Sequence, residues 1–284
     1  MSASESESYT FTSYCQSPAE TNENGRQDAH EANMGRKIAS HLNDDIRPTV
    51  FAEVQLLLLT FCTGIQDATT FPDYHCFASN QTGNTVFLCL ALILPEFNGE
   101  MFVTPNIGVA LGLFLGAGWL TGQLSHLIGP RKRWWLLLCN LIQAGLVFGA
   151  AAMQYQFGVA EKGTYALIVI GLLAFASGSQ VVQSRSLAMT EISTAMATAA
   201  WVDLMIDKDL FVLKNRPRTR RVAFLAALIA GSLAGAGIYR HVGSAAAIAV
   251  SAAGKLIVTI MYLFTNAEMD QKHCNDIYDN ERKV

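Results

Sequence analysis

Eight apolar stretches follow one another along the chain, at about 50–65, 71–94, 107–127, 134–155, 165–182, 187–206, 222–239 and 245–264. Six of them are long and oily enough to cross roughly 30 Å of hydrocarbon as helices. The other two, 71–94 and 187–206, carry polar clusters. The first holds Ser79-Asn80-Gln81-Thr82-Gly83-Asn84, and only Thr85 to Leu94 is strongly apolar. The second contains Thr190, Glu191, Ser193, Thr194, Thr198 and Asp203. The pattern predicts an all-α, polytopic transmembrane helical bundle.

The polar interruptions sit at matching places in two halves, about 49–157 and 163–266. Gly64-Ile65-Gln66-Asp67-Ala68 precedes the first cluster and Gly178-Ser179-Gln180-Val181-Val182 precedes the second, so that 114 residues separate Gly64 from Gly178, Gln66 from Gln180 and Ser79 from Ser193. Interrupted apolar segments at corresponding positions of two halves point to a substrate site in a membrane transporter.

The basic loops bear on how many stretches cross. Arg131-Lys132-Arg133 lies between the third and fourth stretches, and Lys214, Arg216, Arg218, Arg220 and Arg221 precede the seventh. Basic loops prefer the cytosol. With eight crossings one cluster faces outward. If the two polar stretches dip in and return, both clusters and both termini lie inside, and the halves form an inverted three-plus-three repeat. Six full crossings plus two re-entrant or broken segments are therefore expected, with eight crossings as the alternative because Leu187 to Ile206 is long enough to span. Trp134 and Trp135 suit an interfacial anchor.

Glycine spacing adds a packing expectation. Gly108, Gly112 and Gly116 recur every four residues, Gly118 and Gly122 add a pair, and the second half has Gly231 and Gly235. Small residues four apart let helix backbones approach closely in lipid. Recurrence in both halves favours a seam inside the chain over a homo-oligomer face, the alternative.

Composition narrows the class. Hydrophobic residues make up 51% of the chain and charged residues 15%, too apolar for an ordinary soluble domain. Residues 1–48 are polar without a packable pattern and read as a disordered tail. No apolar core follows a basic start there, so no cleavable signal peptide is expected. The segment after 266 reads as a short cytosolic tail, 267–284. A net charge of −3 gives no reason to expect a nucleic-acid partner. The six cysteines show no C-x-x-C spacing. Asp73, His75 and Cys76 lie close in sequence without helical or finger spacing, so neither a metal nor another cofactor is expected.

Several polar residues are candidates for the pathway of a small molecule. Asp67 follows a run of mostly apolar residues, where an ionisable group is costly and marks a functional site by default. It suits a substrate amine or a coupling proton; as a plain N-cap near Pro72 it would be structural. Asn80, Thr82, Gly83 and Asn84 offer amides, a hydroxyl and a close backbone approach, against the reading of a capped helix start. In the second half Gln180, Gln183 and Ser184 share one helical face, as do Glu191, Thr194 and Thr198, and these would line the opposite wall of the same cavity. Arg185 is an alternative partner for Glu191. Lys255 sits midway along the last stretch, too deep to snorkel, so a carboxylate partner is expected among Asp67, Glu191 and Asp203.

Gly64-x-x-Asp67-Ala68, the run from Phe77 to Asn84 ending in Thr82-Gly83-Asn84, and Gly178-x-Gln180 resemble the YoaK-type family of integral membrane proteins, with this chain as a fungal-like member over about residues 50–266. That family is a domain of unknown function, so the resemblance implies a fold and no substrate. Its second Thr-Gly is replaced here by Met196-Ala197-Thr198, a departure from a strictly symmetric site. The reading is a secondary transporter or permease for a small molecule of unknown identity, embedded in the lipid bilayer. A membrane scaffold or sensor is the alternative. An intramembrane enzyme is disfavoured, since neither a Gly-x-Ser-Gly element nor a pair of intramembrane aspartates occurs.

Overall fold

The computed structural model describes residues 40–46, 48–187, 189, 191, 192, 194, 197–212 and 214–265. Apart from 40–46 and 48, the expected tails at 1–48 and 267–284 lie outside the described residues. Among the described residues from 50 onward there are eight α-helices: α1 (Val50–Tyr74), α2 (Gln81–Ile93), α3 (Thr104–Ile128), α4 (Arg133–Phe157), α5 (Thr164–Ser186), α6 (Ala197–Met205), α7 (Arg216–His241) and α8 (Ser244–Leu263). Six of these, all but α2 and α6, are long and apolar enough to cross a membrane. Their 20 to 26 residues give about 30 to 39 Å at about 1.5 Å per residue. The chain is thus a multi-pass membrane protein with six span candidates. The stretch 187–206 does not form the spanning helix of the eight-crossing alternative, because its described helix runs only from Ala197 to Met205.

Local chemistry sets the helix ends. The Thr49 hydroxyl accepts from the Ala52 N–H to start α1, and the Asn215 side chain accepts from the Arg218 N–H to start α7. Pro105 and Pro217 occupy first turns, where a missing N–H is tolerated. At the far end of α1, His75 takes a left-handed conformation with φ of 52°, and its N–H closes the last turn on the Phe71 carbonyl.

The most apolar windows of α5 and α1 are 61% and 56% buried against 22% for α3 and α7, so α1 and α5 form the centre of the bundle. α1 packs on α7 and α8, α3 on α5, and α4 on α5 and α8. Glycine makes two of these contacts close enough for backbones to touch. A Cβ on Gly64 would stand 2.5 Å from the Leu228 carbonyl oxygen of α7, and one on Gly235 would stand 2.8 Å from the Ile65 Cα. Gly231 meets the Phe61 backbone in the same seam, and Gly178 of α5 meets the Phe114 carbonyl of α3. Gly231 and Gly235 of α7 thus lie in close backbone contact with α1. Gly108, Gly112, Gly116 and Gly122 take no part in it: a Cβ at each would meet nothing within 4 Å, and one on Gly118 would only graze Val182 at 4.0 Å. Gly108, Gly112, Gly116 and Gly122 thus meet no neighbouring helix, while Gly118 only borders α5.

Hydrogen bonds at the helix ends sort the connections onto two faces. On one, the Ile46 N–H donates to the Arg131 carbonyl (3.0 Å) and the Arg133 N–H to the Asp44 carbonyl (3.1 Å). There too the Arg131 guanidinium donates to the Ser186 carbonyl, Arg133 donates to the carbonyls of Tyr262 and Leu263, and Arg216 and Arg220 both pair with Glu53 at 2.6 Å. On the other face the Asn106 amide donates to the carbonyls of Tyr74 and Glu161, and Gln154 and Ser244 both donate to Asp73. The segment between α1 and α3 therefore starts and ends on the second face, and the segment between α5 and α7 starts and ends on the first.

Candidate functional site

Asp67 lies about two turns inside the C-terminal end of α1, and the chain after α1 turns back to meet it. Both carboxylate oxygens are held by one residue: the Ser79 N–H donates to Oδ1 at 2.9 Å and the Ser79 hydroxyl donates to Oδ2. The loop that delivers Ser79 is fixed by the fully buried Asn84, whose amide donates to the Phe77 carbonyl (2.8 Å) while its oxygen accepts from the Phe77 N–H (2.9 Å). The Thr70 hydroxyl accepts from the Ala78 N–H (3.3 Å), and Phe71, Phe77, Phe87 and Phe102 stack in series, tying α2 to α1 and to the segment before α3. Asn80 caps α2 by accepting from the Gly83 N–H.

This arrangement leaves a cavity of about 440 Å³ beside Asp67. One wall is Thr63 and Asp67 of α1; a second is Ser79, Asn80, Thr82 and Gly83 at the start of α2. The third wall is the first turn of α6 (Ala197, Thr198 and Ala199), and Leu228 of α7 supplies an apolar side. Among the described residues the Asp67 carboxylate has no cationic partner: Glu53 and Glu191 take Arg220, and Asp203 and Asp207 take Arg221. The site thus presents a carboxylate, hydroxyls and two helix starts to an open volume.

Of the expected site residues, Asp67, Asn80, Thr82, Gly83 and Thr198 come together here. Asn84 does not line the cavity, because both ends of its amide are spent on Phe77. Gln180, Gln183 and Lys255 form a separate buried layer. The Lys255 ammonium donates to the Gln180 side-chain oxygen and, at 3.5 Å, to that of Gln143. Gln180 in turn donates to the Thr63 hydroxyl at 2.9 Å, while Gln143 donates to Gln183 at 2.7 Å and to Ser179 at 3.1 Å. The carboxylate partner expected for Lys255 is absent among the described residues, because Asp67 is taken by Ser79 and Glu191 and Asp203 are paired with arginines elsewhere. Two amide oxygens replace it. Glu191 meets Arg220 at 3.4 Å rather than lining the cavity, and Thr194 lies against the Ser184 hydroxyl at 3.5 Å.

Thr63 joins the two layers, since it lines the cavity and accepts from Gln180. A second cross-link lies beside it: Gln66 donates to Ser251 at 2.7 Å and accepts from Ser177 at 3.5 Å. Thr63, Ser177, Gln143, Asn140 and Ser251 were not among the sequence candidates. Gln143 and Asn140 were visible as polar residues in an otherwise apolar stretch, the signal that singled out Lys255. Among the described residues no three His, Cys, Asp or Glu side chains converge as metal ligands, and Asp73 of the Asp73-His75-Cys76 trio is engaged by Ser244 and Gln154.

Outside the helices that cross, Asp207 is held below the ordinary carboxylate range by the Asp209 N–H and the Asn215 amide. Asn215 both caps α7 and fixes this turn, in which its amide also donates to the Asp209 carbonyl.

Comparison with curated proteins and with solved structures returns no match. Residues 55–261 match the model of a family described as protein of unknown function (DUF1275), and the chain belongs to that family.

Proposed function

We propose that this member of the DUF1275 family is a secondary transporter for a small polar solute, with the cavity at Asp67 as its binding site and no enzymatic step. The observation that carries the reading is the composition of that cavity. A carboxylate without a cationic partner among the described residues faces a space of about 440 Å³, walled by the starts of two short helices from opposite halves of the chain. A carboxylate set inside a membrane helix is expensive unless it serves binding or proton movement. Its charge and the surrounding hydroxyls fit a solute carrying an ammonium or similar cationic group.

The proposal includes an inverted repeat with two re-entrant segments. Matched contacts support it: Gly64 lies on the Leu228 carbonyl as Gly178 lies on the Phe114 carbonyl, and Gln66 meets Ser177 as Gln180 meets Thr63. In each case the equivalent residues of the two contacts, Gly64 and Gly178, Phe114 and Leu228, Gln66 and Gln180, and Thr63 and Ser177, are offset by 114 in sequence. Segments 75–103 and 187–215 each return to the face they left, and the starts of α2 and α6 meet at the cavity. The basic loops then set orientation. Arg131, Lys132, Arg133, Lys214, Arg216, Arg218, Arg220 and Arg221 gather on one face, which the positive-inside rule places in the cytosol together with both termini. On Gly64-x-x-Asp67-Ala68, the run from Phe77 to Asn84 and Gly178-x-Gln180, we also read the chain as a fungal-like, YoaK-type member.

Purified protein in liposomes, offered a panel of choline, polyamines, amino acids and sugars, tests the reading. Flux of at least one panel solute above protein-free liposomes is expected. Absence of flux for every panel member in correctly folded protein overturns it.

A further inference from the structure

Within the six long helices, Asp67 and Lys255 are the only Asp, Glu, Lys or Arg residues more than six positions from a helix end. The cavity reading uses Asp67 and leaves Lys255 without a role. Lys255 is fully buried midway along α8, and its ammonium rests on two neutral amide oxygens, those of Gln180 and Gln143. A structural ion pair does not account for it, since no carboxylate is its partner among the described residues. The groups around it are mostly neutral. α4 presents Gln143 and Asn140, α5 presents Gln180, and α1 presents the Cys62 thiol; on α8 itself Tyr262 lies two turns further on beside Cys139. Among the described residues no fixed counter-ion therefore holds the charge on Lys255.

Gln180 connects the two sites. Its oxygen accepts from Lys255 and its nitrogen donates to the Thr63 hydroxyl on the cavity wall. A charged Lys255 holds the amide in this orientation. Loss of that proton turns a charge-assisted hydrogen bond into a weaker neutral one, which loosens the amide and with it the hydroxyl that faces the solute. The linkage also runs the other way, because coupling between two sites is reciprocal. A cationic solute at Asp67 offsets the only carboxylate more than six positions inside these helices, and what it does to the cavity wall reaches Lys255 through Thr63 and Gln180.

We propose that Lys255 is the coupling-proton site of the transporter, releasing its proton when a cationic solute occupies the cavity at Asp67, so that solute and proton move in opposite directions. In the release step one N–H bond of the ammonium breaks, the electron pair stays on Nζ as a neutral amine, and the proton passes to water as hydronium on the side to which the bundle is open. Reprotonation from the other side resets the site. The inference rests on the transporter reading.

The experiment uses full-length protein in liposomes and the panel cation of highest flux, with an imposed pH gradient and protein-free liposomes subtracted. Wild type is expected to accumulate the cation against its gradient when the lumen is acidic. Lys255→Gln is expected to keep exchange of labelled for unlabelled cation within about threefold of wild type and to lose gradient-driven accumulation. Gln180→Leu, which breaks the link without touching a charge or the cavity wall, should uncouple in the same direction and decides the matter if Lys255→Gln does not fold. Accumulation by Lys255→Gln, or undiminished coupling in Gln180→Leu should the lysine variant not fold, overturns the proposal. Flux in wild type that ignores the pH gradient also overturns it while leaving the transporter intact. Absence of any wild-type flux removes the transporter reading itself and the coupling site with it.

Discussion

Alanine at Gly64 separates glycines that hold the bundle together from glycines that merely recur. The new Cβ would stand 2.5 Å from the Leu228 oxygen and 2.8 Å from the Ser232 nitrogen, both backbone atoms, so no side chain can swing away to make room. Ordinary contact begins at 3.4 Å, so α1 and α7 must part by about 0.9 Å at their crossing. Forcing an extra carbon into a packed interface costs about 1–3 kcal/mol, a drop of about 5- to 150-fold in the ratio of folded to unfolded protein. Gly112→Ala is the control. Its Cβ meets nothing within 4 Å, and alanine is the better helix former by just under about 1 kcal/mol, so unchanged or slightly raised stability is expected. Thermal melting in one detergent, followed by fluorescence size-exclusion, compares the two. Equal melting temperatures, or a greater loss in Gly112→Ala, would refute the assignment of the seam to α1 and α7.

Three further outcomes follow from the geometry. Asn84→Ala should lower the amount of folded protein while leaving flux per folded molecule within about twofold, because Asn84 is spent on the Phe77 backbone; flux per molecule and yield, measured together, check this. Cysteines placed at Lys132 and Lys214 on a cysteine-free background should both resist an impermeant thiol reagent in intact cells, and labelling of only one would contradict the arrangement of faces. Asn215→Ala should cost about 1 kcal/mol through loss of the α7 cap and should also release Asp207. Since Asp207 is held below its ordinary range when folded, its contribution is present at neutral pH and fades as pH falls through that lowered value. The melting difference between wild type and Asn215→Ala should therefore narrow in acid.

Much of the architecture was legible because lipid imposes simple demands. Six long apolar stretches became six long helices, and the two polar interruptions became the short helices α2 and α6. Asp67 stood out because a carboxylate that deep needs a reason. What the sequence concealed was which polar group faces which. Asn80 and Asn84, four apart on α2, look equivalent along the chain, yet one caps the helix beside the cavity and the other clamps the loop behind it. Lys255 looked like half of an ion pair, because an amide acceptor from a helix 75 residues away has no sequence signature. The stripe of Gly108, Gly112 and Gly116 failed as a packing signal because spacing marks a smooth helix face without saying what lies against it. The close contacts of Gly64 and Gly178 depend on partners in other helices, which spacing does not reveal.

Solute flux through Asp67→Asn in liposomes is the most direct test of the central claim that the cavity at Asp67 is the transport site. The substitution keeps the shape of the side chain and one of its two acceptors for Ser79, whose hydroxyl can turn to accept from the new amide, while removing the charge offered to the solute. Losing a charge-assisted contact is worth about 1.5–3 kcal/mol, so flux per folded molecule at subsaturating solute should fall about 10- to 150-fold. Folded protein, measured by size-exclusion on the same preparation, should stay near the wild-type amount, because no described cation loses its partner. Flux equal to wild type in well-folded Asp67→Asn would contradict the account and leave Asp67 as an anchor for the Ser79 loop.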